Sequence, residues 1–484
     1  MDLQDLLHAV PVLQVKGSME RTIHTVQFDS REVSKGDVFV AIKGERTDGH
    51  NYLNQAIEKG AETLVVEEFP IEIDDKVCYV LVQDTSYVLG LLADNFCQQP
   101  SKKLKLVGVT GTNGKTTVAT LLYQLFRSLG YKAALISTVE NKIDDTIYPT
   151  KYTTPDPLTI NGFLKEAVDQ GCDYCFMEVS SHAVVQQRIA GLRFSGGIFT
   201  NLSHDHLDFH ETFANYIAAK KRFFDNLDRN AFALVNIDDK HGAIMQQNTF
   251  AYKKSYALKG MADFKVKVLE SHFEGMLLQI DGHELWVKLV GKFNAYNLLA
   301  VYGAAILLEQ ETVQTLTALS QVVAAEGRFE TLRSDGGVFG IVDYAHTPDA
   351  LENVLLTVRD LRKDEQKIIT VVGCGGDRDK TKRPEMARVA AELSDSLILT
   401  SDNPRTEEPA AIIKDMEAGL EQADRKKVFS ITDRREAIRA ACHIAKPGDV
   451  ILVAGKGHEN YQEINGERTH FDDMEELKMN FNEQ

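Results

Sequence analysis

The stretch Val107-Gly108-Val109-Thr110-Gly111-Thr112-Asn113-Gly114-Lys115-Thr116-Thr117 constrains the chain more than any other. The apolar run Leu104 to Val109 predicts a strand. A Gly-rich turn follows, and then a helix with Val118, Leu121, Leu122, Leu125 and Leu129 on one face and Gly130 as its stop. Strand, glycine loop, Lys-Thr and helix in that order form a phosphate cradle. Glycines at 111 and 114 let backbone N–H groups approach phosphate oxygens. The helix N-terminus favours anions, Lys115 reaches the terminal phosphates, and the Thr116 hydroxyl suits Mg2+. The strict G-x-x-x-x-G-K-[ST] spacing is missed by one residue, since Val109 stands where its first glycine would be. An ordinary strand-to-helix turn would leave Lys115-Thr116-Thr117 unexplained, so the loop predicts binding of ATP or another nucleoside triphosphate.

The 484 residues suffice for about three domains. The expectation is an α/β chain in units 1–100, 101–330 and 331–484, with Gln99-Pro100-Ser101-Lys102-Lys103 as the first linker. Short strands (Val38–Ile42, Thr63–Val66) and a helix-like run (Tyr52–Lys59) mark the first unit. Alternating strands and helices predict a mostly parallel sheet, covered on both faces, in the second. The third has strands at Gly340–Asp343, Lys367–Gly373, Ser396–Thr400 and Asp449–Ala454. A net charge of −17 argues against broad nucleic-acid binding. The N-terminus has no basic and apolar leader pattern, and the longest apolar run, Leu298 to Leu308, is too short for a bilayer. The reading is therefore a cytoplasmic protein, without membrane or nucleic-acid partner, taken as a monomer. Six scattered cysteines suit a reducing compartment. Cys172 and Cys175 have C-x-x-C spacing, but they fall in an apolar strand and read as core residues.

Ligands in open parallel sheets collect at the carboxyl ends of strands. Glu178, ending the strand Cys175–Glu178 ahead of Ser180-Ser181-His182, reads as an Mg2+ ligand or as a helix-cap acid. His204-Asp205-His206-Leu207-Asp208-Phe209-His210 follows another strand and suggests a metal or phosphate site. Zinc suits imidazole and carboxylate; magnesium suits a nucleotide loop. In the third unit Gly373-Cys374-Gly375-Gly376-Asp377-Arg378 lacks the last glycine of a dinucleotide fingerprint. With Asp402-Asn403-Pro404-Arg405 and Gly455-Lys456-Gly457-His458-Glu459 it gives three polar loops at strand ends, hence a shared cleft for a charged small molecule.

Together these motifs resemble the Mur ligases of bacterial cell-wall synthesis, over essentially the whole chain. The residues that carry the resemblance are Asp29-Ser30-Arg31, Asp48-Gly49-His50, Gly111 through Thr117, Thr153-Thr154-Pro155, Glu178 through His182, Asp205 through Asp208 and Tyr216 through Phe224 around Lys220. Asn294, Asn297, Arg328, Asp343 through Pro348 and the three C-terminal loops complete it. The resemblance implies a UDP-binding domain, a central ATPase and a C-terminal Rossmann-like domain. It also implies an ATP-dependent amide ligase, of the branch that joins meso-2,6-diaminopimelate to UDP-MurNAc-L-Ala-D-Glu. Carried over by motif, Ser30, Thr153, Thr154, Ser180, Gln186 and Arg188 contact the UDP-muramoyl dipeptide. Gly111, Thr112, Asn113, Gly114, Lys115, Thr116, Thr117, Asn294, Arg328, Asp343 and His346 serve ATP. Thr116 and Glu178 hold one Mg2+, and His206 with a carbamylated Lys220 a second. Lys115, Lys220 and His206 are the expected catalytic residues. Arg383, Asp402, Asn403, Pro404, Arg405, Gly455 and Glu459 receive diaminopimelate. The alternatives are the same ligation with L-lysine, a folylpoly-γ-glutamate synthetase-like ligase, against which the first unit argues, and a P-loop switch without ligase chemistry.

Overall fold

The computed structural model describes residues 1–44, 47–150, 152–203 and 207–482, and elements are counted among these described residues. Three large sheets follow one another along the chain. In the first, Val26–Gln27, Val38–Val40, Thr63–Val66 and Cys78–Val82 run parallel, and Val12–Lys16 pairs antiparallel with the last of these. Its helix Thr85–Phe96 starts at Asp84, whose carboxylate accepts from Tyr87 N, and buries Val88, Leu89 and Leu92 against the sheet.

The second sheet has 11 strands. Ala133–Ile136, Tyr174–Glu178, Lys105–Thr110, Gly196–Phe199, Phe232–Asn236, Tyr252–Ala257 and Phe264–His272 form a parallel run in that spatial order. Both faces are covered, one by a cluster containing the helices Lys115–Ser128 and Lys292–Leu307, the other by one containing Phe213–Asp225. Strands buried on both sides therefore read as continuous Val, Leu and Ile runs rather than alternating ones. The mostly parallel sheet is as expected, and antiparallel strands extend its edges. Phe264–His272, Gly275–Ile280 and Met276's neighbour strand His283–Val287 form an antiparallel meander. Its tight turn is Asp281-Gly282, both with positive φ (47° and 81°), the geometry of a two-residue hairpin. The apolar stretch Leu298–Leu308 is largely within the helix Lys292–Leu307, and no helix among the described residues is long and apolar enough to cross a membrane.

In the third sheet, Phe339–Asp343, Val450–Ala454, Ile368–Cys374, Ser396–Ser401 and Val428–Ser430 are parallel, with Glu330–Arg333 antiparallel at one edge. A hairpin, Tyr461–Ile464 with Glu467–His470, turns at Asn465-Gly466, again with both φ positive (49° and 83°). The C-terminal helix Asp473–Asn482 packs back on this sheet through Leu477 and Phe481. All six cysteines are free, and Cys172 and Cys175 are buried.

Candidate active site

The phosphate loop lies between the strand Lys105–Thr110 and the helix Lys115–Ser128. Gly111 has φ +151°, and a Cβ there would sit 1.9 Å from Thr200 Oγ1. Only glycine lets the loop run this close to the end of the neighbouring strand. That neighbour then fixes the loop: Thr112 N donates to Asn201 O (2.8 Å), Asn113 N to Asn201 Oδ1 (2.9 Å), and Thr200 Oγ1 to Asn113 O (2.6 Å). Gly114 caps the helix without a side chain, so the first-turn amides keep their positive ends for an anion. Lys115 Nζ donates to the carbonyls of Gly111 (3.1 Å) and Thr112 (2.8 Å), folded over the loop it serves. Thr116 is buried, and its hydroxyl accepts from Arg328 Nη2 at 3.1 Å. Thr117, one residue on, is buried and lines the adjoining cavity.

Two further groups converge on the loop from below and beside it. Lys220, on the helix Phe213–Asp225, is buried, and its Nζ donates to Gly111 O at 2.8 Å. Glu178 is buried at its strand end; Oε1 accepts from Thr138 N (2.7 Å), while Oε2 has no hydrogen-bond partner among the described residues. A buried carboxylate oxygen left over in this way suits a hard cation, so the Glu178 carboxylate and the Thr116 hydroxyl fit Mg2+. The helix Ser181–Val185 is capped by Ser180, whose Oγ accepts from Ala183 N, so capping does not account for Glu178. His206, with His204 and Asp205, lies outside the described residues.

The residues expected to meet the muramoyl dipeptide gather near Glu178, apart from one. Thr154 Oγ1 donates to Glu178 O (2.8 Å) and accepts from Ser180 N (3.1 Å). Arg188 Nη1 donates to Thr154 O (2.7 Å), its Nε to Gln186 Oε1 (2.9 Å), and Thr153 Oγ1 accepts from Thr138 Oγ1 (3.1 Å). Ser30 belongs to the first sheet's side of the molecule, where its Oγ donates to Gln55 Oε1 at 2.8 Å. Beside it the Arg31 guanidinium holds the Asp29 carboxyl below its ordinary range.

Above the phosphate loop a cavity of about 370 Å3 opens between the second and third sheets. Asn113, Asn294, Arg328, Asp343 and His346 are among its lining residues. Asn113 Nδ2 donates across it to Asp349 Oδ2 (3.0 Å). Asn294 is buried on its helix and donates to Val290 O (2.8 Å). The Arg328 guanidinium lies 4.5 Å from the centre of the Tyr344 ring. Asp343 pins the joint between the sheets: its carboxylate accepts from Phe329 N (2.7 Å) and Ala345 N (2.8 Å), and burial pushes its pKa up to about 6. His346 Nδ1 is 2.9 Å from Tyr344 O. A second, larger hollow of about 740 Å3 lies at the opposite end of the central strands, beside Lys105, Tyr174 and Phe232, and takes no part in this site.

The three C-terminal loops are brought together as well. Gly376 N donates to Asn403 O (2.9 Å), and a Cβ on Gly376 would sit 1.9 Å from Pro404 O, so two of the loops touch backbone to backbone. Arg405 Nη1 donates to Gly376 O (2.7 Å), and its backbone pairs with Glu463 and Asn465 of the hairpin. Gly455 N donates to Asp343 O, which joins the third loop to the nucleotide cavity (3.0 Å). Asn403 Nδ2 donates to Glu459 Oε2 at 2.7 Å. Arg383 is fully buried under this cluster, its guanidinium taken up by Glu407, Asp415 and Gly375 O. Its hydrogen bonds, with those of Asp377 N and Lys380, hold the Glu407 carboxyl down at about 2. Arg383 thus braces the Gly375 loop. Two groups absent from the sequence-based set belong here: Lys456, buried beside Glu459, and the wholly buried pair Arg434–Asp473 beneath the loops. Lys456 was adjacent to Gly455 in the motif; nothing local in the sequence pairs Arg434 with Asp473.

Three family profiles match the chain in sequence: the Mur ligase family, catalytic domain over residues 22–96, the Mur ligase middle domain over 109–305, and the Mur ligase, glutamate ligase domain over 327–457. A UDP-N-acetylmuramoyl-L-alanyl-D-glutamate–2,6-diaminopimelate ligase of Bacteroides fragilis is 55% identical over 99% of this chain and 99% of its own. A solved structure of a ligase of the same name has a TM-score of 0.72 at 31% identity, covering 100% of this chain and 99% of that one. A folylpolyglutamate synthase of Mycobacterium tuberculosis complexed with ADP shares the fold at 16% identity, with a TM-score of 0.61 over 76% of this chain and 92% of its own. The chain belongs to the Mur ligase family.

Proposed function

We propose that this protein is an ATP-dependent acid–amino-acid ligase that adds meso-2,6-diaminopimelate to UDP-MurNAc-L-Ala-D-Glu in peptidoglycan precursor synthesis. The observation that carries the reading is full-length identity of 55% to a ligase of that name. The 76% coverage of this chain by the folylpolyglutamate synthase, at 16% identity, supports a shared scaffold rather than a shared substrate.

A carboxylate does not react with an amine unaided, because its leaving group is too poor. In the proposed reaction a substrate carboxylate oxygen attacks the γ-phosphorus of ATP, ADP leaves, and an acyl phosphate forms. The amine then attacks the acyl carbon, loses a proton, and expels inorganic phosphate. Loop amides from Gly111 to Thr117 position the phosphates, and Lys115 offsets charge on the transferring group. Asn294, Arg328, Asp343 and His346 border the nucleotide. Ser30, Thr153, Thr154, Ser180, Gln186 and Arg188 orient the UDP substrate. Thr116 and Glu178 would hold Mg2+, with His206 and a carbamylated Lys220 at a second ion; Mg2+ supplies charge neutralisation on the phosphates. Lys220 supports its own part of this reading through its burial beside Gly111. A mass gain at Lys220 in bicarbonate, and partial rescue of Lys220→Ala by a short carboxylic acid, are the expected results.

Arg405 receives the distal carboxylate of diaminopimelate as a planar fork, and L-lysine has no such carboxylate to offer. Arg383, Asp402, Asn403, Pro404, Gly455 and Glu459 complete that cleft, Arg383 as its brace. The units 1–100, 101–330 and 331–484 would then be the UDP, ATPase and amino-acid domains of a cytoplasmic monomer. The deciding experiment is ligation with ATP, UDP-MurNAc-L-Ala-D-Glu and a panel of amino acids, read by mass spectrometry. A tripeptide product with diaminopimelate is expected. ATP turnover that depends on neither substrate would overturn the ligase reading.

A further inference from the structure

Lys456 sits on the third C-terminal loop with none of its surface exposed. Its Nζ lies 3.1 Å from Asn403 Oδ1, 3.3 Å from Glu459 Oε2 and 3.8 Å from Asp402 Oδ1. With none of its surface exposed, the ammonium is enclosed by these side chains. Asn403 is held in turn, donating to Glu459 Oε2 and accepting from Glu463 N (3.0 Å). Beneath them Arg434 makes a bidentate pair with Asp473 and donates to the carbonyls of Ser401 and Ala454, the residues that lead into the two loops. The cations Lys456 and Arg434 thus face the carboxylates Asp402, Glu459 and Asp473. Tyr344 and Tyr461 border Glu459 as neutral groups. Burial and the neighbouring Asp402 charge push the Glu459 carboxyl up, and Lys456 opposes both.

We propose that Lys456 is a positioning residue for diaminopimelate: its enclosed ammonium balances one carboxylate of the Asp402–Glu459 pair and fixes Glu459 and Asn403, leaving the other carboxylate to receive the ammonium at the non-reacting end of the substrate. The proposal rests on the assignment of this cleft to diaminopimelate, with Arg405 taking the carboxylate on the same carbon. Carboxylate and ammonium of one amino-acid head are then met by groups of opposite sign on adjacent loops. Without Lys456, two buried carboxylates would repel, one would take up a proton, and the head-group ammonium would lose its partner.

The test is steady-state kinetics of the full-length enzyme with Lys456→Met, Lys456→Gln, Lys456→Arg, Glu459→Gln and Arg405→Ala. The neutral Lys456 variants are expected to raise KM for diaminopimelate by roughly tenfold to a hundredfold, with kcat and the KM values for ATP and the UDP substrate within about twofold. Lys456→Arg, which keeps the charge, is expected to stay within about fivefold of the unmodified enzyme. Lys456→Met combined with Glu459→Gln is expected to add little to Glu459→Gln alone. Unchanged diaminopimelate KM in the neutral variants, alongside a raised one in Arg405→Ala and Glu459→Gln, would overturn the role of Lys456 and leave the cleft standing. Unchanged values in all five would overturn the cleft assignment itself. A loss spread equally over kcat and all three KM values would mark a merely structural lysine and also overturn the proposal. If the neutral variants do not fold, Lys456→Arg decides, and a rise beyond about tenfold in a folded Lys456→Arg protein counts against it.

Discussion

Two lysines separate the two halves of this site. Lys115 is half-buried and folds onto the carbonyls of its own loop, three and four residues away in sequence. Lys456 is wholly enclosed, and its partners include a residue 53 positions away. The phosphate loop binds mainly through backbone amides set by one local strand-turn-helix, and the Lys115 bonds to Gly111 and Thr112 stay within that loop. The amino-acid cleft binds through side-chain charges, and those charges are wired into the interior of the third sheet's unit. Recognition by backbone makes function separable from stability; recognition by buried side chains couples the two.

The strongest way to break this contrast is at the base of the cleft. Arg434 and Asp473 are both 0% exposed and meet in a bidentate pair at 2.7 Å. Asp473→Ala would leave a buried guanidinium without the carboxylate it is hydrogen-bonded to, at a cost of about 3–5 kcal/mol. Denaturant unfolding should show that loss, with diaminopimelate binding falling in parallel. A variant of near-normal stability would mean the cleft is not built on its interior charges.

Lys115→Ala should do the reverse. Its removal takes away a charged contact to the transferring phosphoryl group and should lower kcat by about 10²–10³-fold. The melting temperature should stay within a few degrees of the unmodified protein. Near-normal ligation by the folded variant would remove Lys115 from the mechanism, and a large loss of stability would erase the contrast with Lys456.

The same contrast explains what was legible in the sequence. Gly111 to Thr117 can be read as one word, because neighbouring residues make the whole cradle. The buried strands of the central sheet are legible too, as apolar runs closed by polar ends such as Glu178. No hairpin was placed at the edge of the mostly parallel central sheet or after the third C-terminal loop, although Asp281-Gly282 and Asn465-Gly466 are both dipeptides that a two-residue hairpin favours. Arg383 was legible as part of a charged rim, but its burial under Glu407 and Asp415 comes from a helix packing in three dimensions. Arg434 with Asp473 left no local trace, since 39 residues separate them.

At the rim of the cleft, where side-chain recognition is least tied to the interior, the effect should be smaller and confined to substrate choice. Arg405 is partly exposed, and its guanidinium donates to Gly376 O. Arg405→Ala should weaken meso-diaminopimelate by about a hundredfold and L-lysine far less, so the preference between them shrinks. Competition of the two amino acids in one reaction, read as product ratio, checks this directly. Equal use of both by the unmodified enzyme would overturn the substrate while leaving the ligase chemistry in place.

Asp343 sharpens the comparison most finely, because it belongs to both regions. Its carboxylate pins Phe329 N and Ala345 N beside the nucleotide cavity, and its carbonyl receives Gly455 N from the amino-acid cleft. Burial raises its pKa from 3.8 to about 6, with the Arg328 charge opposing. Between those two values the unfolded chain has released this proton while the folded chain keeps it, so folding becomes less favourable as pH rises through the window. Below 3.8 both states are protonated and the penalty is absent; above about 6 it is complete. The contribution is on the order of 3 kcal/mol. Asp343→Asn cannot ionise, so its unfolding free energy should lack this downward step, even though the variant loses one acceptor for the two N–H groups and starts from lower stability. The difference between variant and unmodified protein should therefore narrow as pH is raised from about 4 to 6.5. A difference that stays constant across that range would mean the joint carries no titrating charge, and that the two regions are linked by shape alone.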